Sequence, residues 1–290
     1  MNTFLITGST GFLGSKLIEK LLQKDYKLIC LIRKTSHIGK LKALNEEIIF
    51  CLEEELNSVF ENNNINCVIH IATNYGYNQT NFVDILECNY LLPAKLLKLC
   101  FSNNVKYFIN TDSLINKNIN LYSLTKAHFR ELCQAITINE ALNVNIINLK
   151  LDHFYGPGDN NSKFIMFLIQ SLLKNIDEID LTPGEQKRRF LYVDDLINAI
   201  DLIIKNIDRF KFYSEIDITG EKLFSIKEIV SLIKKMTLNN CTKLNWGALE
   251  YRENEIFKPK ADLNIIKKLG WEQSISIEEG IKRTINYVNK

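Results

Sequence analysis

No stretch of this sequence approaches the roughly 18 uncharged apolar residues that a membrane span needs. Charge of one sign is also lacking. The formal net charge is +2, so there is no broad field to hold a polyanion, and nucleic acid is not an expected partner. The first residues carry no basic segment and no small-residue cleavage site, so a secretory leader is not expected. None of the seven cysteines, Cys30, Cys51, Cys67, Cys88, Cys100, Cys133 and Cys241, stands at C-x-x-C spacing. Buried reduced thiols in the cytoplasm are expected, not disulfides or a metal centre. Prolines number only four, and there is no Pro/Ser-rich linker, repeat or low-complexity tail.

What is present is an alternation. Phe4-Leu5-Ile6, Leu28 to Ile32, Val68 to Ala72, Tyr107-Phe108-Ile109 and Val144 to Leu151 are short apolar runs. Between them Phe12, Leu13, Leu17, Ile18, Leu21 and Leu22 recur at helical spacing, and Leu91–Cys100 and Tyr122–Ile136 read as further helices. Strands and helices alternating at this size predict an α/β fold, a doubly wound parallel sheet covered on both faces. Beyond Gly156-Pro157-Gly158 the pattern is less regular. A boundary is expected near Leu151, with residues 1–151 binding a dinucleotide, 152–290 forming a smaller α/β substrate domain, and a segment near 188–220 returning to the first.

Gly8, Gly11 and Gly14 stand directly between the first strand and the first helix. Such a turn lets backbone approach a pyrophosphate and presents the helix N-terminus to it. Thr10, Phe12 and Leu13 lie in the same turn. The second strand ends Arg33-Lys34, where an enzyme choosing NAD usually has an acid for the ribose 2′-hydroxyl. Two cations suit a 2′-phosphate, which favours NADP(H), with NAD(H) the alternative; the bland reading is a solvated strand end.

Tyr122 and Lys126 are four apart and share a helix face. A free tyrosine has a pKa of about 10, and an ammonium beside it favours the phenolate. A tyrosine so tuned can give a proton to a carbonyl oxygen during hydride attack. Glycine turn and Y-x-x-x-K together resemble the extended short-chain dehydrogenase/reductases, the NAD-dependent epimerase/dehydratase family, with a Rossmann-type fold. His70-Ile71-Ala72, Asn89, Tyr155 to Gly158, Gly184, Gln186, Arg188, Phe190, Val193 to Asp195 and Leu269-Gly270-Trp271 add to the likeness in order along the chain.

The resemblance implies that Thr111 holds the sugar carbonyl oxygen, that Tyr122 is the acid/base, and that Lys126 binds the nicotinamide ribose. It places Ala72 and His153 against the cofactor, and Asn74, Tyr75, Asp112, Ser113, Arg188 and Arg252 against a nucleotide sugar. A homodimer is implied as well. Sugar 4,6-dehydratases follow the threonine with Asp and Glu; here Ser113 replaces the glutamate, which disfavours dehydration. Ala72 to Gly76, Asn110 to Ser113, Tyr155 to Asp159, Gly247-Ala248 and Arg252 to Glu255 are similar to the CDP-abequose synthase-like group of nucleotide-4-keto-sugar reductases. The expected activity is NADPH-dependent reduction at C4 of a nucleotide-linked 4-keto-deoxysugar, CDP favoured, for surface polysaccharide. A 4-epimerase is the enzymatic rival and a dinucleotide-binding scaffold the non-enzymatic one. Three departures stand out: a separation of only eleven positions from Thr111 to Tyr122, Lys150 for a usual arginine, and Arg189 for a usual aspartate.

Overall fold

The computed structural model describes residues 2–77, 81–139 and 143–289. Among these it has twelve strands: β1 Asn2–Thr7, β2 Tyr26–Leu31, β3 Ile49–Cys51, β4 Ile65–His70, β5 Tyr107–Ser113, β6 Asn145–Leu151, β7 His153–Tyr155, β8 Glu178–Leu181, β9 Lys187–Tyr192, β10 Tyr213–Ile218, β11 Leu223–Ser225 and β12 Lys243–Trp246. The α-helices are α1 Phe12–Leu21, α2 Gly39–Leu44, α3 Leu56–Asn62, α4 Phe82–Leu86, α5 Leu92–Ser102, α6 Leu121–Asn139, α7 Phe164–Leu173, α8 Val193–Lys205, α9 Ile226–Met236, α10 Asn264–Lys268 and α11 Ile277–Val288. The chain divides into two compact units, one of Met1–Leu151 with Ala199–Asp217, the other of Asp152–Asn198 with Ile218–Lys290.

The first unit is built on one sheet in the order β10-β6-β5-β4-β1-β2-β3. From β3 to β6 every neighbouring pair is parallel. Each such connection crosses over through helix or loop, so both faces are covered and the strands are apolar almost end to end. Leu5, Ile29, Val68, Phe108 and Ile146 are all essentially inaccessible. They meet Leu96 and Leu97 of α5 and Phe129 and Cys133 of α6 in one core. The order reverses between β1 and β4. In doubly wound sheets that switch point opens a crevice at the carboxyl ends of the strands, where ligands bind. The glycine turn leaves β1 at that end.

The second unit, taken by itself, holds a three-stranded sheet β11-β9-β7 and a two-stranded parallel pair β12-β8 with helices α7, α9, α10 and α11. Apolar spacing predicts α1 and α6 nearly to their ends. The short β3 and the helices α2 and α3 lie outside the expected elements, although Ile48 to Leu52 is an apolar run and Leu56, Val59 and Phe60 stand at helical spacing.

All seven cysteines are unpaired; Cys241 is exposed. Burial pushes the thiol of Cys30 up to about 12 and that of Cys51 to about 11, so both stay protonated and act as small apolar side chains. Among the described residues no helix is long and apolar enough to cross a membrane.

Candidate active site

Gly8 closes β1 with φ of +68°, and a Cβ built there would lie 2.6 Å from the backbone nitrogen of Ala72. At Gly14 it would lie 2.1 Å from the carbonyl oxygen of Gly8. Both positions exclude any larger residue, and the turn is closed by Gly11 N–H donating to Gly8 O at 3.0 Å. α1 starts with Gly11 as an N-cap that has no side chain to offer, and its first turn, Phe12-Leu13-Gly14-Ser15, carries no acid. Its amide groups are left to an anion. This is a cradle shaped to fit the pyrophosphate of a dinucleotide.

The turn is fixed to β4 through Thr7. The Thr7 hydroxyl accepts from Ile71 N at 3.1 Å and Ala72 N at 3.0 Å, and lies 2.9 Å from His70 Nδ1. Two lone pairs are thereby used, so the hydroxyl hydrogen goes to Nδ1 and the imidazole carries its own proton on Nε2. His70 stays neutral: burial, then the charge of Lys126, holds it well below its ordinary value.

The chain from Phe82 to Ser102 is one helix interrupted by a π turn at Glu87–Leu91. Pro93 explains the interruption. It cannot donate to the carbonyl of Asn89, and its ring would strike that carbonyl in a regular helix; widening by one residue relieves both. The π turn aims Asn89, fully buried, at the loop after β4. Its Oδ1 accepts from Asn74 N at 2.9 Å, and its Nδ2 donates to Asn74 O at 2.8 Å and to Thr125 Oγ1 at 3.2 Å. Asn89 thus ties the loop carrying Asn74 and Tyr75 to α6. The Asn74 side chain makes its own turn, accepting from Gly76 N at 3.0 Å.

α6 begins where it does because Asn120 caps it: Ser123 N donates to Asn120 Oδ1 at 2.9 Å, and Asn120 N donates back to Ser123 Oγ. Tyr122 therefore stands in the first turn, half-buried, with its ring 4.8 Å from that of Tyr75. One turn on, Lys126 is 1% exposed and donates to the carbonyl oxygen of Thr111 at 2.9 Å. Burial pushes its pKa down to about 8, with Cys88 and Asp112 acting in the opposite sense. Thr111, next to it on β5, donates its hydroxyl to His70 O at 3.0 Å, so contact with a substrate oxygen requires that hydrogen to turn.

Residues 4–218 match the family model described as the NAD dependent epimerase/dehydratase family. The chain belongs to this family. It is 34% identical over 289 residues to CDP-abequose synthase of Salmonella muenchen, covering 97% of this chain and 96% of that one. It is 24% identical to UDP-glucuronate 4-epimerase of Thermodesulfobacterium geofontis, covering 99% and 96%. The solved structure of UDP-glucuronic acid 4-epimerase from Bacillus cereus with UDP-glucuronic acid and NAD has the same fold, with a TM-score of 0.83, 23% identity and 99% of each chain covered.

Within this epimerase/dehydratase member the first unit gathers Gly8, Gly11, Ala72, Asn74, Tyr75, Thr111, Tyr122 and Lys126 around the carboxyl ends of β1, β4 and β5. Leu13 is buried beneath the turn, Phe12 is half-buried with Lys16 Nζ 5.9 Å from its ring centre, and Thr10 is exposed. Three expected ligand contacts have other partners. Asp112, expected against substrate, has its carboxylate taken by Arg130, by Asn148 Nδ2 at 2.8 Å and by Ser113 N at 2.7 Å. Ser113 Oγ accepts from Ile115 N at 3.1 Å and shapes the turn after β5. Lys34 reaches Glu54 at 2.7 Å on the surface and leaves Arg33, exposed, at the end of β2. Sequence spacing shows where a charge stands, not which neighbour takes it.

The second unit holds His153, Arg188 and Arg252. His153 pairs with Phe190 in the β7–β9 register, and their rings are 5.8 Å apart. Strand alternation puts Arg188 on the same face as Phe190. His153 Nδ1 bonds to the buried Asp152, which also accepts from Thr219 Oγ1 at 3.2 Å. Arg188 is engaged by Glu255 and by the carbonyl of Ile256 at 2.8 Å, and Arg252 is exposed nearby in sequence. Arg189 donates to the carbonyls of Gly220 and Glu221, a donor role that a usual aspartate could not fill. Lys150 spans to Glu215 and Asp217, each at 3.0 Å. Spacing missed Thr7 and Arg130, although Arg130 lies eight residues after Tyr122, on the same helix face.

Proposed function

We propose that this protein catalyses NADPH-dependent reduction at C4 of a nucleotide-linked 4-keto-deoxysugar, with a CDP-sugar as the favoured substrate. The observation that supports it best is the buried Lys126 one helical turn from Tyr122, beside Thr111 and beyond the glycine turn. The likeness to CDP-abequose synthase along nearly the whole chain supports the substrate class. Bound dinucleotide supplies the hydride. Gly8, Gly11 and the first turn of α1 would hold its phosphates, Arg33 its 2′-phosphate, and Lys126 its ribose. Tyr122 gives its phenolic proton to the sugar O4 as the carbonyl becomes an alcohol, and the ammonium of Lys126 offsets the negative charge left on the phenol. Thr111 turns its hydroxyl to the same oxygen. Arg188 and Arg252 would receive the sugar's phosphates and nucleotide, since guanidinium donors suit a diphosphate, and His153 would serve the cofactor.

Deuterium carried on the transferable position of NADPH is expected at C4 of the product. Product without label would contradict the assignment.

A 4-epimerase is the second reading, favoured by the removal of Lys34 to Glu54, which leaves one cation for a 2′-phosphate. It predicts nicotinamide released on denaturing the purified protein and turnover without added reductant. A homodimer in the cytoplasm, serving surface polysaccharide synthesis, completes the proposal. Phe82, 66% exposed, with Val83 and Leu86 on the same side of α4, offers an apolar strip for a second copy.

A further inference from the structure

Tyr122, Lys126, Arg130 and Gln134 follow at steps of four and share one face of α6. The last three all reach the sheet: Lys126 to Thr111 O on β5, Arg130 to the carboxylate of Asp112 on β5, and Gln134 to Glu215 on β10. Asp112 is 3% exposed. A carboxylate offers about four acceptor sites, and Arg130, Asn148 and Ser113 N fill three of them from within the unit. Asn148 is itself held by Asn110 Nδ2 at 2.6 Å. Little of this carboxylate is left for a ligand.

We propose that Asp112, clamped by Arg130 and Asn148, is a positioning residue for Lys126 and Tyr122 and does not meet the substrate. The inference rests on the acid/base assignment of Tyr122. Two consequences follow from the geometry. The clamp ties α6 to β5 one turn beyond Lys126, which fixes the approach of its Nζ to Thr111 O. The carboxylate also acts on the buried ammonium. The titratable groups coupled to Lys126 are His70 on β4, Cys88 on the π turn and Asp112 on β5, and Tyr122 and Arg130 stand one turn to either side of it on α6. His70 is held neutral and burial raises the Cys88 thiol. Cys88 and then Asp112 hold the ammonium's pKa up; the raised thiol is uncharged at neutral pH, which leaves Asp112 as the anion acting on Lys126, itself paired with Arg130.

The test is kcat and KM against pH for Asp112→Asn, Arg130→Gln, Arg130→Lys and Tyr122→Phe, with folding checked by circular dichroism. Asp112→Asn is expected to lose about 10- to 100-fold in kcat, the scale of a small misplacement of catalytic groups, with KM for the sugar near wild type. The alkaline limb of its profile moves to lower pH. In Arg130→Gln, where the carboxylate is no longer offset, the limb moves to higher pH, and Arg130→Lys restores it. A raised KM with an unmoved limb in Asp112→Asn, or limbs that move the same way in Asp112→Asn and Arg130→Gln, would overturn the proposal. Should Asp112→Asn not fold, the direction of the limb in Arg130→Gln decides alone: upward supports the clamp, unmoved or downward refutes it. Wild-type turnover in Tyr122→Phe would instead sink the acid/base assignment, whereas a slow Tyr122→Phe with unmoved limbs in both clamp variants sinks only the clamp.

Discussion

Lys126 Nζ donates to the carbonyl oxygen of Thr111 at 2.9 Å, so the helix that carries the candidate proton donor is bonded to the strand that carries its partner hydroxyl. An ammonium in this position is expensive. Its pKa falls from 10.5 to about 8 on folding, because burial disfavours the charge.

Stability should therefore rise with pH from Lys126. The unfolded chain holds this proton up to about 10.5 and the folded chain only to about 8, so the contribution grows as pH climbs between those values. The gain is on the order of 3 kcal/mol. Urea unfolding from pH 7 to 10 should show this rise in wild type and lack it in Lys126→Met, which is expected to be the more stable protein at pH 7. Parallel curves for the two proteins would contradict the assigned burial cost.

Gly8→Ala should remove dinucleotide binding. The new Cβ meets Ala72 N at 2.6 Å, and the φ of +68° is itself strained for alanine by about 1–3 kcal/mol. Fluorescence titration with NADPH is expected to show no saturation, while Gly39→Ala, where an added Cβ meets nothing within 4 Å, binds as wild type does.

Asn89→Ala leaves the N–H and C=O of Asn74 without their partners. Each unsatisfied group costs about 1–3 kcal/mol. The urea midpoint should fall with an unchanged m value, and kcat should fall with it, because the Tyr75 loop is no longer tied to α6. A variant of wild-type stability would show that the Asn74 backbone finds other partners.

Arg33→Asp should shift the NADPH/NADH preference toward NADH, since Arg33 is exposed at the end of β2 and a carboxylate there repels a 2′-phosphate. Lys34→Gln should leave the ratio near wild type, because Lys34 is paired with Glu54. The reverse result would exchange the two roles.

How much of this was legible in the sequence depends on range. Gly8, Gly11 and Gly14, and Tyr122 with Lys126, announce themselves because a turn and a helix face are local and periodic. Leu5, Ile29, Val68 and Phe108 show the strands because parallel sheets need apolar residues on both faces. Asp112 was legible as an acid but not as the partner of Arg130, eighteen residues away in sequence and fixed by how α6 lies on β5. The π turn was illegible as well: Leu91 to Cys100 reads as a helix through Pro93, and only packing shows the widened turn that precedes it. Thr7 looks like an ordinary strand residue, and its bond to His70 shows only when β1 and β4 are set side by side.

The most direct measurement is NADPH oxidation by the purified protein against CDP-, dTDP-, UDP- and GDP-linked 4-keto sugars, with wild type and Tyr122→Phe side by side. Oxidation with the CDP-sugar, slowed about 10²–10⁴-fold in the variant while NADPH affinity holds, is the predicted result. No oxidation with any of the four, or equal rates for the two proteins, would contradict it.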